Sequence, residues 1–143
     1  MEEKMKKASS IMYLLGRIFE ILEVIFSAFA GFIGIVAIAN KEEVFQKIVE
    51  AGNTEITSVE QVQQVGVGLL VSGLVAIVLG AVVLTLLARA KNYVEDGKEA
   101  KKLHIAMIVL GIFTNIFITL GGAFALGVAT EKPADEPAEP KQE

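Results

Sequence analysis

The chain has no cysteine, a single histidine among its 143 residues, and only three prolines, all from position 133 onward. Without cysteine there are no disulfides, no thiolate nucleophile and no cysteine-ligated metal. With one histidine, a metal site would need carboxylates from the flexible flanks. No proline interrupts the apolar blocks, so the broken helices of transporters are not signalled. Nucleotide-loop, zinc-protease and nucleophile-elbow motifs are absent, and no basic aromatic face suggests nucleic acid. These absences predict a non-enzymatic protein that needs no cofactor and binds no nucleic acid.

What remains is apolar. Hydrophobic residues make up 53% of the chain, and mean hydropathy is +0.57. They fall in three long blocks, whereas a soluble helix carries polar residues on one face every turn or two. The pattern predicts an all-α membrane domain over 1–129. Its three transmembrane helices cover about 11–39, 62–88 and 104–129, each long enough for the ~20 residues a crossing needs. The block 62–88 contains no charged residue and carries two rows of small residues. Gly66, Gly73 and Gly80 recur every seven positions, and Gly68, Ser72, Ala76 and Gly80 every four. Small residues let helix backbones approach closely where lipid supplies no hydrophobic drive. One row is expected inside the bundle, and the other is free to dock a second copy or another membrane protein.

In the first block, Tyr13, Gly16, Arg17, Glu20, Glu23, Ser27, Ala30, Gly31, Gly34 and Ala37 form one stripe at three- and four-residue steps. Ala37-Ile38-Ala39 has the small-x-small form of a cleavage site. Glu20 and Glu23 interrupt the run that a signal peptide would need, so the first helix is read as retained. Arg17, Glu20 and Glu23, with His104 expected in the same leaflet, form a candidate polar cluster. It reads either as an interfacial collar or as a proton- or cation-handling site. Asn115 falls near the middle of the third expected span, beside the small positions Gly111 and Gly122. Its amide is expected to bond a bare backbone carbonyl on a neighbouring helix, with Gly31, Gly34 and Ala76 at similar depth.

Between the first two blocks, 41–51 predicts an amphipathic helix with Val44, Phe45, Ile48 and Val49 on one face. Asn40 would cap it and Gly52-Asn53 would end it. Thr57/Ser58 with Glu60/Gln61 resembles a capping box. Asp96-Gly97 signals a turn, with Asp96 and Glu99 as caps for the next helix. Residues 130–143 predict a disordered acidic tail. Lys and Arg concentrate at the N-terminus and in the second loop, which predicts a cytoplasmic N-terminus and an outside tail. A bacterial plasma membrane suits the short loops. The function expected is that of a scaffold or accessory subunit held in the bilayer by helix–helix contacts. The alternative is a small oligomeric channel or transporter component.

Overall fold

The computed structural model describes residues 2–130. Among them are five helices and no strand: α1 (Glu2–Ala39), α2 (Lys41–Glu50), α3 (Val59–Glu95), α4 (Lys101–Phe113) and α5 (Ile116–Thr130). The expected tail, apart from Thr130 at the end of α5, lies outside the described residues. Helices α1 and α3, of 38 and 37 residues, are each long and apolar enough to cross a membrane. Contacts divide the chain into two compact units, 20–84 and a second comprising 1–19 with 85–143.

In the unit 20–84, α1 and α3 run antiparallel and meet at glycine. A Cβ on Gly66 would lie 3.0 Å from Gly34 O. One on Gly73 would lie 2.6 Å from Ser27 O and 3.0 Å from Gly31 N, and one on Gly80 would strike the Val24 side chain. The seven-residue row is therefore the internal one. Of the four-residue row, Gly68 has open space where a Cβ would be, Ser72 is exposed and Ala76 is half-buried. On α1 the polar stripe is the packing face, with Glu20, Gly31, Gly34 and Ala37 buried but Glu23 exposed.

Helix α2 half-buries Val44, Phe45 and Ile48 and leaves Val49 exposed. Its start differs from expectation, because Asn40 makes no side-chain cap. The chain instead passes from α1 to α2 through backbone bonds, Asn40 N to Val36 O at 2.9 Å and Val44 N to Asn40 O at 2.9 Å. Gly52 ends α2 at φ +76°, a left-handed conformation that suits glycine. Ser58 caps α3 by accepting from Gln61 N at 3.3 Å, while Gln61 Oε1 accepts from Thr57 N at 2.7 Å. This is a capping box displaced by one residue at its return bond.

The second unit contains the main departure from the sequence reading. The single helix expected over 104–129 is two helices, α4 and α5, packed on each other as a hairpin. The break falls at Thr114–Asn115. Thr114 Oγ1 donates to Leu110 O at 3.0 Å, and Asn115 Oδ1 accepts from Ile118 N at 3.3 Å. Asn115 is thus the N-cap of α5. Gly97, at φ +67°, makes the turn that leads toward α4. The expected caps Asp96 and Glu99 are not used. Ala100 occupies the N-cap position without a side-chain bond, and Asp96 pairs with Lys98 at 3.1 Å.

Candidate functional site

Polar groups converge in the second unit, where α4, α5, the first half of α1 and the end of α3 enclose a small core. The hairpin closes on glycine. A Cβ on Gly122 would lie 2.8 Å from His104 O, and one on Gly111 would strike Thr119. At these two positions there is no room for a larger residue, and Thr119 Oγ1 adds a bond to Ile108 O at 3.4 Å.

Helix α5 then lies along α1 in the opposite direction. Asn115 Nδ2 donates to Gly16 O at 3.3 Å, and Ser9 Oγ donates to Gly121 O at 2.7 Å. A Cβ on Gly121 would come within 2.6 Å of the Tyr13 ring. The space gained is filled by that ring, which is 1% exposed. Beyond it, Tyr13 OH and His104 Nδ1 are 2.8 Å apart, with His104 itself 3% exposed. With the phenol donating, Nδ1 is the acceptor and Nε2 carries the proton. Phe19 and Phe117 stack nearby, with ring centroids 5.1 Å apart. At the far end of α5, a Cβ on Gly127 would strike the Met5 side chain.

His104 also borders a cavity of about 90 Å³ with Lys6, Lys98, Glu99, Ala125 and Val128. A second, wider groove of about 570 Å³ lies between the end of α3 and the start of α4. Among the described residues no three His, Asp or Glu side chains form a group that could hold a metal ion.

The four residues of the expected cluster, Arg17, Glu20, Glu23 and His104, fall in two units. His104 has Tyr13 as its partner. Arg17 is exposed in the same unit, whereas Glu20, buried, and Glu23, exposed, belong to the unit 20–84. Asn115 does bond a glycine carbonyl of α1, but that of Gly16 rather than Gly31 or Gly34. A turn at Asn115 carries its amide to the first half of α1 instead of the second.

The sequence reading missed the Tyr13–His104 pair, Ser9 and Gly121. It also missed the signal that would have found them. An Asn preceded by Thr and followed by an apolar run is a helix-start pattern even inside a hydrophobic block. Compared with known proteins, the chain matches no family model, no curated protein and no solved structure.

Proposed function

We propose that this is a non-enzymatic integral membrane protein, a scaffold or accessory subunit that acts through the outward faces of its helices. One observation carries the reading. The most apolar windows of α1 and α3 are only 11% and 17% buried. The central helix of a soluble protein is apolar because it is buried, whereas these helices turn Phe26, Phe29, Phe32, Val71, Leu74 and Val78 outward. Lipid or a partner must cover them.

In this reading α1 and α3 cross the bilayer and α4–α5 dips into one leaflet. Thirteen residues of α4 rise about 20 Å, too short for a ~30 Å hydrocarbon core. The hairpin tip, with Phe113 84% and Ile112 69% exposed, is apolar enough to sit in lipid. Because α5 returns to Met5, the chain leaves the hairpin on the side of the N-terminus. The basic N-terminus and second loop put that side in the cytoplasm, in a bacterial plasma membrane on the sequence reading. Three crossings would put the tail outside, whereas two crossings and a returning hairpin would put it in the cytoplasm.

Two features favour a membrane partner over lipid alone. Gly68 and Ser72 leave α3 open to a close-packed helix, and Glu23 presents a carboxylate on an apolar face, where charges are normally paired. The same Glu23 is what favours the second reading, a homo-oligomeric channel. Native mass spectrometry of the protein, extracted gently from its own membrane, tests both. A stoichiometric different membrane protein is the expected result. A homo-oligomer that conducts ions in proteoliposomes would replace the accessory reading with the channel.

A further inference from the structure

We infer that the groove between α3 and α4 binds the phosphodiester headgroup of an anionic phospholipid, an assignment that rests on the membrane reading above. One wall carries Leu86, Arg89 and Tyr93, spaced by three and four residues on one face of α3. The other carries Lys101, Lys102 and Leu103 from the first turn of α4. The remaining basic residues of this region are engaged, Lys91 with Glu95 at 2.5 Å and Lys98 with Asp96 at 3.1 Å. Among the described residues Arg89, Lys101 and Lys102 have no ion-pair partner. Three cations without an ion-pair partner among the described residues therefore border one open groove.

The apolar parts match the rest of a lipid. Leu86 and Leu103 line the groove, and Ile105 and Val109, exposed one and two turns further along α4, offer a track for an acyl chain. Tyr93, 38% exposed, has the amphipathic ring that settles at the headgroup level. Glu99 also borders the groove and offsets one of the three charges. The remaining charge of +2 suits a singly charged phosphodiester. A free phosphate would use the cations and leave the leucines and the Ile105–Val109 track unexplained. Basic pockets between helices on the cytoplasmic side are where acidic headgroups bind.

The test is native mass spectrometry of the delipidated full chain, titrated with phosphatidylglycerol and with phosphatidylcholine of the same acyl chains. Phosphatidylglycerol should bind at least about tenfold more tightly. Each surface cation is worth about fivefold toward an acidic lipid. The combined Arg89→Gln, Lys101→Gln, Lys102→Gln variant should therefore abolish the preference. Removing the same charge as Lys4→Gln, Lys6→Gln, Lys7→Gln should preserve it. If the first variant loses helicity, the Lys101→Gln, Lys102→Gln pair on the exposed first turn of α4 should still weaken phosphatidylglycerol by about 25-fold.

Equal binding of the two lipids, or equal loss in both triple variants, would overturn the assignment. So would full displacement of the lipid by an equal concentration of inorganic phosphate, which would mark a free-anion site. Insertion into phosphatidylcholine vesicles, resistant to alkaline extraction, is measured in parallel. If insertion fails, the membrane reading falls. If insertion holds without lipid preference, only the groove assignment falls.

Discussion

In the unit 20–84, α1 and α3 meet at glycine: the backbone of Gly34 against Gly66, that of Ser27 and Gly31 against Gly73, and the Val24 side chain against Gly80. In the other unit, glycines again bring helices close, but polar side chains then fix the register. Ser9 bonds Gly121, Tyr13 bonds His104 and Asn115 bonds both Gly16 and its own helix. The contrast follows from length. Two helices of 37 and 38 residues make their own ladders and need only shape complementarity. A short hairpin exposes helix ends midway, and unpaired backbone groups away from water cost several kcal/mol each. Capping at Asn115 is what makes the turn tolerable.

The sharpest way to break this contrast is to add volume at bare backbone. Gly73→Leu places a side chain against Ser27 O and Gly31 N, neither of which can rotate away. A loss of about 3 kcal/mol or more is expected, seen as a large fall in thermal midpoint in detergent. The same change at Gly68 meets open space and should leave the midpoint unchanged while removing a co-purifying partner. Equal effects at the two positions would refute the division into an internal and an open row.

Asn115→Leu should cost about 1–2 kcal/mol, since it removes a helix cap and an interhelical bond together. Hydrogen exchange should rise at the start of α5 and not along α3. Tyr13→Phe should cost about 1 kcal/mol through the lost bond to His104. It should change the histidine ring resonances in NMR, with little effect on the unit 20–84.

The smallest effect is acid dependence at Glu95. The Lys91 ammonium, with help from the Ser10 hydroxyl, holds its carboxyl below the usual carboxylate range. A depressed folded value contributes stability above the ordinary Glu pKa of about 4.3, and that contribution is lost as pH falls through the folded value. Wild type should therefore exceed Glu95→Gln slightly at neutral pH and converge with it in acid. A gap that persists there would assign the difference to packing instead.

Hydropathy made α1 and α3 legible, but it left open which of the two small-residue rows lies between them. Local chemistry foretold Gly52, Ser58 and Gly97. The third apolar block misled for a physical reason: average hydropathy cannot distinguish one 26-residue span from two shorter helices folded together. The distinction rests on Thr114 and Asn115 alone. That turn decides the partner of Asn115, because depth along a continuous helix puts its amide near mid-membrane whereas the turn brings it to Gly16. What covers the outward faces leaves no trace in one chain's pattern, where a lipid-facing residue and a docking residue look alike.

The most direct test of two crossings and a returning hairpin is site-specific cysteine labelling, for which a chain with no native cysteine is well suited. Single Asn53→Cys, Lys98→Cys and Lys132→Cys variants would be treated in intact cells with a membrane-impermeant maleimide. With two crossings and a returning hairpin, position 53 labels at once, while 98 and 132 label only after the membrane is opened. Labelling of 132 together with 53 would mean that the third block crosses after all and would contradict the account.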